Sequence, residues 1–284
     1  MYITHIIFIM KKFIFIISVA VICFSCINNS NKSNVSKITE ESNFPSDKLE
    51  FASLSDTTIY HLANNNDMPK YEIIINIVYP LATGIAGDDN LLTKDFISNC
   101  IGKEYSKKEN TEEALNSLTK DLIKNYITEV CGTTPENKIE GESWMNYEYI
   151  LSNDILYNAH GILSYSCDTY IYTGGAHGLN TTLCYVYDFY DNKEIFINSI
   201  FKEEFLPNVL SLIKEELARE EYADDIDMDN VNVTENFFVD DEGIHWIYNP
   251  YEIAPYALGA IEVSIPYSDI ERYMIDNTPI KSLL

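Results

Sequence analysis

The run Gly161-Ile162-Leu163-Ser164-Tyr165-Ser166-Cys167-Asp168-Thr169-Tyr170-Ile171-Tyr172-Thr173 decides the fold class. Leu163, Tyr165, Cys167, Thr169 and Ile171 fall on one face, and Ser164, Ser166 and Asp168 on the other. This period of two predicts a strand with one apolar side and one wet side. Gly174-Gly175-Ala176-His177-Gly178 follows, and then Thr181–Tyr190 with the same texture. Two strand-like runs around a glycine-rich loop read as a hairpin whose loop needs positive φ. Working outward, Trp144–Asn153 and Ile155–Tyr157 add two more runs rich in Tyr and Ile. The stretch after Gly141 therefore predicts an antiparallel meander rather than alternating βαβ units.

Upstream, Lys70–Tyr79 alternates around Tyr71, Ile73, Ile75 and Ile77 and reads as a strand ended by Pro80 and the Gly84–Gly87 region. A helix is expected from Asp88 or Asp89, with Leu92, Phe96 and Cys100 on one face. Asn110, with Glu113 three residues on, resembles a capping box opening a second helix. Its stripe is Leu115, Leu118, Leu122 and Tyr126, and Gly132 is its stop signal. Downstream, Glu204–Glu220 carries a helical stripe of Leu206, Val209, Leu210, Ile213 and Leu217. Strands are expected at Phe237–Val239, Ile244–Tyr248 and Ile261–Pro266, with a closing helical turn at Ser268–Met274. The order argues an α+β fold: an antiparallel β meander with packed amphipathic helices. It divides on paper into an N-terminal α+β subdomain, 49–140, and a C-terminal β-rich subdomain with one long helix, 141–284.

The N-terminus carries a localisation signal. Lys11 and Lys12 precede an apolar run from Phe13 to Phe24, then Ser25-Cys26. A charged start, a short apolar stretch and a small residue before cysteine predict a lipoprotein signal peptide, 1–26, with Cys26 lipidated. The apolar run falls short of the ~20 residues that span a membrane. Ile27–Asn43 is rich in Asn, Ser and Lys, so 27–48 reads as a flexible tether. The expected location is the cell envelope, anchored in a membrane and facing away from the cytoplasm. Cys100, Cys131, Cys167 and Cys184 then permit two disulfides. Cys167–Cys184 across the hairpin is the natural pair, leaving Cys100–Cys131; free buried thiols are the alternative.

Charge excludes a function class. The chain has 19 basic against 44 acidic residues, a net charge of −25. Such a field repels nucleic acid and favours cationic partners, chiefly through association rate. Catalytic patterns are missing from the sequence. No serine sits in G-x-S-x-G, no His-Glu-x-x-His occurs, and none of the four cysteines after Cys26 stands at C-x-x-C spacing from another. His160 and His177 flank one strand, a weak hint of a metal pair. The run Asp225-Ile226-Asp227-Met228-Asp229 opens like a calcium loop, but Asn230 and Asn236 stand where glycine and glutamate are required. It reads as a solvated loop. No catalytic residue, metal ligand set or cofactor is assigned. The 21 tyrosines concentrate in the β half and read first as sheet packing, second as a contact surface.

One further segment matters: Asn249-Pro250-Tyr251-Glu252-Ile253-Ala254-Pro255-Tyr256-Ala257-Leu258-Gly259. A strand ending in Tyr172-Thr173-Gly174-Gly175-Ala176-His177-Gly178, a second strand, a turn at Asp191-Asn192, a helix and then this segment resembles a bacterial extracytoplasmic domain of unknown function. The resemblance covers roughly Leu49 to Met274. Its better-understood members are the extracellular part of RsiV-like anti-sigma factors, which bind lysozyme, and the non-catalytic part of PdaC-like peptidoglycan deacetylases. The resemblance implies a non-enzymatic α+β module of the cell envelope. Deacetylation is not carried over, because the metal-ligand motif of the deacetylases does not occur in this sequence; nor is sigma-factor signalling. The expectation is a binding module for lysozyme or another cationic wall hydrolase. The alternatives are a peptidoglycan-binding module using exposed tyrosines and an envelope hydrolase pairing His177 with Glu252. The residues to test as contacts are Tyr172, His177, Tyr251, Glu252 and Tyr256.

Overall fold

The computed structural model describes residues 48–81, 90–133 and 143–284. The expected signal peptide with Cys26, the expected tether as far as 47, and the Gly84–Gly87 region lie outside these residues. Phe44–Leu284 clusters as one unit.

A seven-stranded sheet organises the unit. Its strands are β1 (Phe51–His61), β2 (Lys70–Pro80), β3 (Tyr147–Ser152), β4 (Ile155–Ala159), β5 (Ile162–Tyr172), β6 (Leu179–Asp188) and β7 (Lys193–Glu194), ordered β1-β2-β3-β5-β6-β7. β4 pairs with the start of β5 and β3 with its end, so both share one edge of β5. The long strands pair antiparallel except β2 and β3, which run parallel. That pair corrects the expected subdomain division. β2 and β3 come from opposite sides of position 140 and hydrogen-bond side by side, so one sheet crosses the boundary.

Alternation along each strand builds a core on both faces. Ile73, Ile75 and Ile77 of β2, Tyr147, Tyr149 and Leu151 of β3, and Leu163 and Tyr165 of β5 are buried on the first face. Against them pack α1 (Asn90–Phe96), the π turn Ile97–Ile101 and α2 (Thr111–Thr133). Leu92, Phe96 and Cys100 are buried there as their spacing predicts. α2 is capped as expected at one end. Glu113 N donates to Asn110 Oδ1 (2.9 Å), while the Glu113 carboxylate accepts from Glu109 N (3.2 Å), one residue earlier than in a reciprocal box.

The second face corrects the expectation of a wet side. Ser164 and Ser166 are buried. A second, antiparallel sheet lies over them, made of β8 (Phe237–Val239), β9 (Gly243–Tyr248) and β10 (Ile261–Pro266) in the order β10-β9-β8. Ser164 Oγ donates to Val239 O at 2.6 Å, so this serine is a polar tie between sheets. Two short helices, α3 (Ile197–Ile200) and α5 (Tyr267–Ile270), flank this core, and α4 (Leu206–Leu217) packs on β10. α4 buries Val209, Ile213 and Leu217 but is shorter than Glu204–Glu220, because a 3-10 turn at Glu203–Phe205 precedes Pro207 in its first turn.

The exposed edge of β6 is closed by asparagine side chains. Asn249 Oδ1 accepts from Thr182 N (2.7 Å) and Asn249 Nδ2 donates to Thr182 O (3.0 Å). Asn236 Oδ1 accepts from Cys184 N (2.7 Å), and Asn236 Nδ2 donates to both Thr182 O and Ile247 O. These amides mimic a missing strand and lock the two sheets together.

The disulfide pairing also differs from expectation. Cys100 bonds to Cys167, with a Cα separation of 5.2 Å, while Cys131 and Cys184 are free thiols. Cys167 lies opposite Leu183 and faces the helices. Cys184 lies opposite Ser166 and faces the small sheet. Side chains on opposite faces of one sheet cannot be bridged. Cys100–Cys131 is excluded because Cys100 is taken.

Candidate functional site

The two glycine- and proline-rich segments converge. The loop after β5 ends at Gly178, and the segment after β9 folds back over it. The His177 and Tyr256 rings stack with centroids 4.2 Å apart. Tyr256 Oη donates to Gly178 O at 2.9 Å, and Tyr251 packs beside Tyr256 with centroids 5.6 Å apart. Backbone chemistry explains the loop. Gly174 sits at φ +85°, and a Cβ there would lie 2.2 Å from Trp144 O. Gly178 admits the Tyr170 ring, which a Cβ would meet at 2.4 Å.

The second segment holds its own shape. Asn249 N donates to the Glu252 carboxylate (2.8 Å), Glu252 N to Asn249 O (3.0 Å), and Tyr251 N to Ala254 O (3.1 Å). This turn fixes Tyr251 at φ +73° with 61% of its surface exposed. A bulky residue in the left-handed region costs about 1–3 kcal/mol and persists only where its surroundings enforce it. Asp227 N donates to Ile253 O, so the acidic loop also anchors this segment. Asp227 itself accepts from Asp229 N and Asn230 Nδ2, as a self-bonded solvated turn.

Together the segments border an open groove of ≈ 430 Å³ lined by Ile171, Gly174, His177, Leu179 and Tyr251. Ile171 and Leu179 are cross-strand partners and are 44% and 45% exposed. Exposed apolar side chains in contact, rimmed by polar groups, are the signature of a contact surface.

Of the sequence-derived contacts, His177, Tyr251 and Tyr256 are brought together. Tyr172 stands on the hairpin, its hydroxyl donating to Gly175 O at 3.1 Å. Glu252 is committed to Asn249 N and His177 Nδ1 donates to Gly178 O at 2.9 Å, so each of the hydrolase pair already has a backbone partner. His160 and His177 lie beyond opposite ends of the eleven-residue β5, roughly 35 Å of extended chain. Ile171 and Leu179 escaped sequence reasoning, since alternation alone assigns them to the core. Among the described residues neither belongs to the two buried cores. Many tyrosines do serve packing: Tyr71, Tyr126 and Tyr147 form one buried cluster, with ring centroids 5.0–5.8 Å apart.

A second polar cluster lies on the small sheet. His245 is buried against the Phe238 ring, 4.3 Å between centroids. Its Nδ1 meets Ser264 Oγ (2.7 Å) and the Glu262 carboxylate (3.0 Å). Its Nε2 lies 3.1 Å from Asp240 Oδ1 but makes no directed hydrogen bond, so that contact is ionic. Burial alone would push the His245 pKa down; its contacts with Glu262 and Asp240 outweigh burial and raise it. Glu262 is lowered chiefly by its hydrogen bond to His245. Asp240 is lowered although burial opposes it, by the backbone amides of Glu242 and Gly243 and by His245.

Two family models match the chain. "Deacetylase PdaC" matches residues 97–180, which contain the first segment, and "Protein of unknown function (DUF3298)" matches 198–268, which contain the second. Among solved structures, a DUF3298 family member from Bacteroides fragilis shares 26% identity and a TM-score of 0.74, covering 83% of this chain and 97% of that one. A DUF3298 family protein from Pseudomonas aeruginosa shares 16% identity and a TM-score of 0.54, covering 82% and 97%, and carries the likeness of fold alone. No curated protein matches the chain. The chain thus resembles the two family models in succession, and it is similar in fold to the Bacteroides DUF3298 protein over most of that protein's length.

Proposed function

We propose that this is a non-enzymatic binding module of the cell envelope, tethered through Cys26, that captures a cationic wall hydrolase such as lysozyme. The observation that carries it is the convergence of the two segments on one exposed apolar groove, with Tyr251 held outward at φ +73°. Three further facts support the reading. A net charge of −25 steers a basic protein toward the surface. The Cys100–Cys167 disulfide suits an oxidising compartment outside the cytoplasm. Exposed tyrosine and aliphatic side chains on a rigid turn are the usual anchors of protein interfaces.

Hydrogen exchange of the full chain with and without lysozyme tests the assignment of the surface. Protection is expected in 171–180 and 249–256. Protection confined to other segments would place the contact elsewhere and defeat the reading.

A further inference from the structure

The side of the large sheet that carries the small sheet is covered only along part of its length. Above Ser166 it opens, and the strand registers stack its side chains into rows across five strands. One row runs Ser55, Asn76, Ser152, Asp168, Thr182, and the next Thr57, Ile74, Ile150, Tyr170, Asn180. A third begins Ile59, Glu72, Glu148, Tyr172. None of these side chains is buried, whereas Ile73 and Ile75 of β2 and Tyr149 and Leu151 of β3, which alternate with them, are. At ~4.8 Å per strand, each five-residue row is about 19 Å long.

Two members are held in place before any ligand arrives. Asp168 Oδ1 accepts from Thr182 Oγ1 (2.6 Å) and Oδ2 from the buried Ser166 Oγ (2.7 Å), which aims the carboxylate and leaves it further acceptor capacity. Tyr170 is laid down over Gly178, its ring occupying the space a Cβ would need. Between them lies a depression of ≈ 400 Å³ lined by Glu148, Ile150, Asp168, Tyr170, Asn180 and Thr182. An aromatic ring packed over the backbone of the sheet, flanked by a fixed carboxylate and hydroxyl and by an exposed amide, matches a pyranose ring. The ring's C–H face stacks on the phenol and its equatorial hydroxyls donate to the acceptors.

The geometry points to this face as a binding site for an extended, uncharged glycan chain lying across the strands. Strand spacing is close to the length of one pyranose unit, so successive sugars meet successive members of a row. Glu72, Glu148 and Asp168 set the charge requirement. Among the described residues the cation beside them is Lys70, already paired with Glu72 at 2.5 Å, so uronic or phosphorylated polymers are repelled. This surface is distinct from the groove, and the inference stands or falls separately from hydrolase capture.

The test is calorimetric titration of the full chain with a β-1,4-linked N-acetylglucosamine tetramer, and with a uronic-acid tetramer as the anionic counterpart. The neutral tetramer is expected to bind and the anionic one not. Tyr170→Ala should weaken binding by about tenfold, as loss of one stacking ring does. Asn180→Ala, on an exposed side chain, should weaken it with no change in thermal unfolding, which guards against a folding artefact. Tyr251→Ala, in the groove, should leave it unchanged. No binding of the neutral tetramer, equal binding of the uronic one, or indifference to both Tyr170→Ala and Asn180→Ala overturns the inference. So does loss of lysozyme binding in Tyr170→Ala without any glycan binding, which would assign the face to the protein partner.

Discussion

Gly174 and Tyr251 show how single residues shape the groove. Both adopt positive φ, one with no side chain and one with a large ring. Gly174→Ala would force a methyl group against Trp144 O in a left-handed conformation, and should cost about 1–3 kcal/mol in urea unfolding. Tyr251→Asn places a residue that tolerates the left-handed region at the same turn. It should keep or raise stability, by up to about 1 kcal/mol in the same measurement, while abolishing lysozyme binding. A stability loss in Tyr251→Asn would mean the ring is a packing residue. The glycines of this loop were legible in the sequence as positive-φ positions, which fits Gly174 and Gly175. Gly178 was not legible. Its role is to make room for Tyr170, and a close approach of a ring to a backbone depends on rotamers that a linear pattern does not encode.

At the scale of elements, the periodic strands and helices were readable because burial of one side repeats at two or 3.6 residues. β1 was not read. It is an edge strand with little buried surface, so Phe51–His61 shows no strong alternation. The wet face of β5 was misread because its cover, the small sheet, lies about 75 residues downstream and contacts it through polar ties such as Ser164 to Val239. Cysteine pairing was misjudged for the same reason: adjacent strands bring residues near, but the faces decide. The two thiols should behave differently. Cys131 is partly exposed, whereas burial, aided by the charges of Asp168 and Glu262, pushes the Cys184 thiol up to about 12. Alkylation followed by mass spectrometry should modify Cys131 in the native protein and Cys184 only after denaturation, with Cys100 and Cys167 protected until reduction. Early modification of Cys184 would contradict the sheet register. The β9–β10 pair gives a pH prediction. The raised His245 pKa contributes stability that is complete below the ordinary value of 6.5 and is lost as pH rises through the folded value. The lowered pKa values of Asp240 and Glu262 contribute stability that is complete above the ordinary values of 3.8 and 4.5 and is lost as pH falls through the folded values. The stability difference between wild type and His245→Gln, from urea unfolding, should therefore be largest between about pH 5 and 6.5 and shrink as pH rises through the folded value of His245. A difference independent of pH would mean that His245 acts through packing alone.

For the whole molecule, the two cores on opposite sides of the large sheet create a rigid frame whose far ends remain open. One end carries the groove and one face carries the glycan rows. Composition pointed to an acidic surface and an absence of familiar catalytic patterns, but not to where contacts would lie, because Ile171, Leu179 and Tyr251 converge only through the closure of the β5–β6 hairpin under the second segment. Capture of a cationic partner joins two physical effects: long-range attraction, which salt screens over a Debye length of ~10 Å at 0.1 M, and local apolar contact, which it does not. Calorimetric titration of the full chain with lysozyme, at low salt and again at high salt, separates them. The account predicts exothermic one-to-one binding at low salt, weakened steeply as salt rises and lost in Tyr251→Asn at every ionic strength. Absence of heat at low salt, or wild-type binding by the Tyr251→Asn variant, would contradict it.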